Sequence, residues 1–183
     1  MISLILILLS GILMNQPDDK LLLHFEGNAG GSWQIVNDGV MGGLSQSTII
    51  RTDTGNALFT GTVSLRNNGG FASVRTIQPN NLSEFSGLRV RVKGDGKTYY
   101  LRLKSAVNNR LTAHSYEHRF QTTSGEWTEV KLPFIHFNPV FRGRSLRNVD
   151  PLDLTAIAEI SFMIRDGQEG SFQLEIESVH AYR

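Results

Sequence analysis

The chain has 183 residues, 18 Lys and Arg against 17 Asp and Glu, and no cysteine. That length can bury a substantial core without staples, and the absence of thiols excludes disulfides, Cys-ligated zinc, iron–sulfur clusters and a thiolate nucleophile. A formal net charge of +1 supplies no global field for gathering nucleic acid or acidic lipid, and 40% hydrophobic with 19% charged residues reads as globular.

In chain order, Ile2 to Met14 is almost wholly apolar, broken only by Ser3, Ser10 and Gly11, with no charge before Asp18. As a helix this run reaches about 20 Å, short of the ~30 Å hydrocarbon layer, so it predicts no membrane span. Its length fits the apolar centre of a signal peptide or a weak tether, although the basic start and small-residue cleavage site are missing. Residues 1–17 are therefore assigned to a hydrophobic leader or tether, which favours export or membrane tethering, and 18–183 to one β-sandwich domain.

Beyond Asp18 the apolar pattern has period two. Strands are predicted at Leu21–Phe25, Trp33–Asn37, Ser47–Arg51, Ala57–Leu65, Phe71–Ile77, Leu88–Lys93, Tyr99–Lys104, Ser115–Gln121, Trp127–Leu132, Glu159–Ile164 and Phe172–Tyr182. Asn67-Asn68-Gly69-Gly70 and Gly94-Asp95-Gly96 read as hairpin turns between neighbouring strands. The best helical stretch is Asp153–Ala158, capped by Asp150 or Asp153 with Pro151 near its start. The fold class is all-β, a sandwich with at most one or two short helices.

The densest loop is Trp33 to Ser45, which holds Asn37-Asp38-Gly39 and Gly42-Gly43; such glycines mark close backbone approach. It lacks the Gly-Lys-Ser/Thr of a phosphate cradle. Three arginines, Arg142, Arg144 and Arg147, crowd one segment, and guanidinium forks suit carboxylate recognition and interface hot spots. Trp33, Asn37, Asp38, Met41 and Ser45, with Arg142 and Arg144, are therefore the candidate partner-binding surface. Tyr100, Arg102, Tyr116, Arg119 and Trp127 are the alternative, a face for glycan. A third grouping, Arg89, Arg91, Lys93, Arg102 and Lys104, would make a basic stripe if their strands were adjacent, but the near-zero net charge speaks against nucleic acid. The histidines are dispersed, carboxylates such as Glu117 and Glu129 meet only if the fold brings them together, and no motif proposes a catalytic residue, a metal or a cofactor.

The string Asn-Asp-Gly-Val-Met-Gly-Gly-Leu-Ser within Trp33–Ser45, followed by Phe59–Leu65 and Asn67–Arg75, resembles the complex I intermediate-associated protein 30 family. Leu88–Gly94, Trp127–Phe134, the Phe-Arg-Gly-Arg turn at Phe141–Arg144 and the closing strands Ile160–Ile176 extend the resemblance over about Leu22 to Tyr182. It implies a galactose-binding-domain-like jelly-roll sandwich. It also implies a non-enzymatic assembly or chaperone factor for NADH:ubiquinone oxidoreductase, with respiratory-complex subunits as the partner class and a carbohydrate-binding module as the alternative.

Overall fold

The structure, a computed structural model, describes residues 19–25 and 32–183, so the apolar run at 2–14 lies outside the described residues. β-branched and aromatic residues alternating with polar ones produce strands along nearly the whole chain. In order these are β1 (Lys20–His24), β2 (Trp33–Ile35), β3 (Gln46–Arg51), β4 (Ala57–Val63), β5 (Ala72–Asn80), β6 (Gly87–Lys93) and β7 (Thr98–Val107). They continue with β8 (Arg110–Leu111), β9 (Ser115–Gln121), β10 (Trp127–Pro133), β11 (Asn138–Phe141), β12 (Arg144–Ser145), β13 (Ile157–Ile164) and β14 (Gly170–Tyr182).

Two antiparallel sheets result. The first runs β10-β6-β14-β4-β3, with β1 paired along the far end of the long β14; the second runs β12-β11-β9-β7-β13-β5-β2, with β8 on the end of β7. This is the expected β-sandwich of jelly-roll type. Its core is the meeting of two inward faces: Leu88, Val90 and Val92 with Phe59, Leu174 and Ile176 from one sheet, and Leu101, Leu103, Ile160, Phe162 and Val74 from the other, all buried. Fully burying such side chains stabilises by roughly 1.5–3 kcal/mol each, which explains why the alternation is so regular.

Two turns do something other than expected. Gly94-Asp95-Gly96 follows β6 in the first sheet and leads to β7 in the second, so it is a crossing between layers and not a hairpin. Asn67-Asn68-Gly69-Gly70 likewise carries the chain from β4 in the first sheet to β5 in the second. Turn chemistry is the same in both cases, since Gly96 at φ 90° and Asn67 and Asn68 at φ 55° and 57° reverse the chain whichever layer comes next. Both inward faces are apolar with period two, so the pattern does not say which sheet a strand joins.

The stretch Asp153–Ala158 forms a single 3₁₀ turn at Leu154–Ala156. Asp153 caps it, accepting the Thr155 amide at 2.9 Å. β13, buried along all of Ile157–Ile164, claims the chain immediately afterwards, because burying that β-branched run outweighs continuing a two-turn helix. Among the described residues no helix is long and apolar enough to cross a membrane.

The basic stripe does not form. Arg89, Arg91 and Lys93 stand on β6 in the first sheet, whereas Arg102 and Lys104 stand on β7 in the second. Acids neutralise all but Lys104: Asp19 and Glu129 pair with Arg89, Glu177 with Arg91 at 2.6 Å, Glu175 with Lys93 at 2.6 Å and Glu117 with Arg102 at 3.1 Å. Glu129, on β10, therefore sits in the other sheet from Glu117 on β9 and makes no carboxylate pair with it.

Candidate functional site

On β7 the residues Tyr99, Leu101 and Leu103 point into the core, so alternation turns Tyr100, Arg102 and Lys104 to the outer face of the second sheet. Register then sets Arg102 opposite Glu117 on β9 and opposite Ser161 on β13. The Glu117 carboxylate, only 5% exposed, receives Arg102 Nε at 3.1 Å and the guanidinium of Arg165, which follows β13 directly. Arg165 also lies over the Tyr100 ring, 4.3 Å from its centroid, and the Tyr100 hydroxyl donates to Asp166. A second group beside it joins Arg75 to Glu159 at 3.6 Å, with Lys104 reaching the Ala113 carbonyl at 3.5 Å.

Burial governs the protonation of this floor. It pushes the Glu117 carboxyl above the usual carboxylate range, while Arg102 and Arg165 pull it back. It lowers Arg102 against the attraction of Glu117, and it raises Tyr100, helped by the hydrogen bond to Asp166. A carboxylate held between two guanidinium groups is an anchored structural charge, not a base facing an open position.

Above the floor opens a cleft of about 860 Å³, walled by Val40, Met41 and Leu65 on one side and by Arg142, Gly143 and Arg165 on the other. A hollow of about 210 Å³ extends it, sharing Phe71, Arg102, Arg142 and Met163. Arg142 and Gly143 form the two-residue turn of the β11–β12 hairpin, both left-handed at φ 49° and 76°, which sets Arg142 at the mouth. Val40 and Met41, at 74% and 58% exposed, stand across from it.

The first wall is held by Asp38, which is fully buried. Its Oδ1 accepts the Ser45 amide at 2.9 Å; its Oδ2 accepts the Ser45 hydroxyl and the amides of Gly70 at 2.7 Å and Phe71 at 3.3 Å. Burial disfavours the charge, but these donors prevail and hold the Asp38 carboxyl below its ordinary value. Asn37 does a parallel task, its Oδ1 accepting from the Ser47 hydroxyl at 2.8 Å and the Ser73 amide at 3.2 Å.

Of the candidate partner-binding residues, the fold brings Met41 and Arg142 to one cleft. Asn37, Asp38 and Ser45 lie beneath it as the bonds that shape its wall, Trp33 is half-buried against the core and stacks on Phe25 at 5.8 Å, and Arg144 is exposed on β12. The alternative set divides between the sheets. Tyr100, Arg102 and Arg119 share the outer face of the second sheet, Tyr116 turns inward beside Leu103, and Trp127 lies on β10 of the first sheet beneath Arg91 and Lys93. Sequence reasoning passed over Arg165, Asp166 and Met163. Their only local signal is an Arg-Asp-Gly turn closing an apolar strand, which is common; their meaning comes from β7 and β9 pairing beside them.

A family model described as Complex I intermediate-associated protein 30 matches residues 23–176. The chain belongs to the complex I intermediate-associated protein 30 family. Among its relatives, "Probable complex I intermediate-associated protein 30, mitochondrial" of Caenorhabditis briggsae is 27% identical, the match covering 76% of this chain and 46% of that protein. The mouse protein, "Complex I intermediate-associated protein 30, mitochondrial" of Mus musculus, is 28% identical over 82% of this chain and 52% of its own length. An uncharacterised protein of Schizosaccharomyces pombe is 30% identical over 81% of this chain and 77% of its own. This family member thus spans about half the length of the worm and mouse proteins.

Among solved structures, the family 11 carbohydrate-binding module of a Clostridium thermocellum cellulosomal cellulase superposes with a TM-score of 0.68 at 18% identity, covering 90% of this chain and 94% of that one. The same module bound to a β-1,3-1,4-mixed-linked tetrasaccharide gives 0.66 at 17% identity, covering 90% and 95%. These likenesses establish the galactose-binding-like sandwich of this family member. They speak to fold alone, since one fold hosts many functions.

Proposed function

We propose that this family member is a non-enzymatic binding module that holds a protein partner at the mouth of the cleft, in the manner of an assembly or chaperone factor. One observation carries the reading: exposed Val40, Met41 and Leu65 stand at a cleft whose opposite wall presents Arg142 and Arg165. Apolar anchors beside arginines, with lysine and glutamate sparse, are what protein interfaces concentrate at their centres. The names of the worm and mouse relatives attach those proteins to complex I intermediates, which makes respiratory-complex subunits the partner class to look for first.

Glycan binding is the second reading, favoured by the likeness to a module solved with a tetrasaccharide. Sugars stack on open aromatic faces. Here the Tyr100 ring is covered by Arg165 and Trp127 belongs to the other sheet, so the cleft supports protein over sugar.

The test is co-isolation of the tagged full chain from its own cells, wild type beside Met41→Glu, with thermal melting as a folding control. Loss of defined partner proteins by a Met41→Glu chain that melts normally supports the reading. Unchanged recovery overturns it, and retention of the wild type on a mixed-linked β-glucan gel transfers the weight to glycan.

A further inference from the structure

We propose that the cleft recognises an acidic segment of the partner, a side-chain carboxylate seated at Arg142 and Arg102 with flanking apolar side chains on Val40, Met41 and Leu65. This rests on the protein-binding reading and adds the chemistry of what is bound.

Charge complementarity is the first argument. Five cationic side chains line the cleft and its extension, namely Arg75, Arg102, Lys104, Arg142 and Arg165. The carboxylates among them are Glu117, Glu159 and Asp166, so the groove carries two positive charges in excess while the whole chain carries +1. The excess of the molecule is concentrated here.

The pairing pattern is the second. Among the described residues Arg142 has no acidic partner and only lies against its neighbour Phe141, 5.3 Å from the ring centroid. Arg102 shares Glu117 with Arg165 through its Nε, and its Nη1 meets only the weak acceptor Met163 Sδ at 3.3 Å. Two guanidinium groups thus retain donors facing a space that a carboxylate could enter, and planar forks bind carboxylates bidentately. Burial lowers Lys104, and Arg75 and Arg102 add to that against the pull of Glu159, so an incoming anion would relieve mutual repulsion along the groove.

Shape is the third argument. The cleft and the hollow share Arg102, Arg142, Phe71 and Met163 and so form one elongated groove, which suits an extended stretch of chain. The apolar wall of Val40, Met41 and Leu65 would be wasted on a bare inorganic anion.

The experiment measures anisotropy of a labelled Leu-Asp-Leu-Glu-Leu peptide, both ends blocked, on the full chain, beside its Leu-Asn-Leu-Gln-Leu isostere and with inorganic phosphate as competitor. The acidic peptide is expected to bind at least about tenfold tighter than the isostere, about 1.4 kcal/mol. Rising salt weakens it, Arg142→Gln abolishes the preference without moving the melting temperature, and phosphate at the peptide's concentration does not displace it. Binding of neither peptide, equal binding of both, displacement by phosphate, or an intact preference in Arg142→Gln overturns the proposal. Partner co-isolation separates the two levels. Capture kept by Arg142→Gln but lost by Met41→Glu overturns the acidic-segment proposal alone, and capture kept by both overturns the protein-binding reading beneath it.

Discussion

The carboxylate of Asp38 accepts the Gly70 amide at 2.7 Å across 32 residues of sequence, fastening the loop after β2 to the crossing between β4 and β5. Both segments wall the cleft, so this bond fixes the distance between Met41 and Phe71 on which the binding surface depends.

Asp38→Ala removes the acceptor of three backbone amides, those of Ser45, Gly70 and Phe71. Each donor left unpaired costs about 1–3 kcal/mol when buried, so the variant is expected to lose about 3 kcal/mol or more in urea unfolding. Amide exchange at Gly70 and Phe71 should accelerate with it, while exchange in β13 follows the global stability alone.

Acid should weaken the same bond. The Asp38 carboxyl is held below its ordinary value, burial being outweighed by donors from Ser45, Gly70 and Phe71. A folded value below the unfolded one gives stability that is present above about pH 4 and lost as pH falls through the folded value. Wild type is therefore expected to lose stability more steeply than Asp38→Asn below about pH 4. Equal slopes would contradict this account of the loop.

Two glycines owe their identity to Asp38. A Cβ at Gly43 would stand 2.4 Å from Asp38 Cγ, with all three nearest atoms belonging to Asp38. A Cβ at Gly69 would stand 2.6 Å from Asp38 Oδ2 but also 2.6 Å from the Ser64 carbonyl. Both alanine variants should cost about 1–3 kcal/mol. Placed on an Asp38→Gly background, which removes all three of the Asp38 atoms near Gly43, Gly43→Ala should become nearly free, whereas Gly69→Ala keeps its clash with the Ser64 backbone, a difference a double-mutant cycle reads directly.

Charge removal should cost very different amounts at two ion pairs. Glu117→Gln leaves Arg102 and Arg165 buried without their shared counter-charge, and breaking such a group costs about 3–5 kcal/mol. Glu177→Gln removes a 2.6 Å partner of Arg91, but these side chains are 42% and 40% exposed, so the loss should stay below about 1 kcal/mol. Denaturant midpoints for the two variants check the contrast.

The strands were legible because period-two alternation reports a half-buried face wherever it occurs, as in Leu88–Lys93 and Tyr99–Lys104. Their sheets were not, because Gly94-Asp95-Gly96 reverses the chain identically for a hairpin and for a crossing. At the site, the loop of Asp38 stood out by its glycines and that of Arg142 by its arginines, and both reach the cleft. The burial of Asp38 beneath the loop depends on amides supplied from Gly70 and Phe71, and the joining of Arg102, Glu117 and Arg165 depends on the register of β7 with β9. Neither partner set is near in sequence, so no local pattern could announce it.

The central claim is that the cleft mouth touches a protein. A photo-crosslinking residue placed at Met41 in the full chain, in its own cells, tests this against the same residue at Ile135, which is more exposed at 87% and lies outside the cleft. The account predicts a discrete crosslinked protein from Met41, weakened by Arg142→Gln, and none from Ile135. No product from Met41, or the same products from both positions, would contradict it.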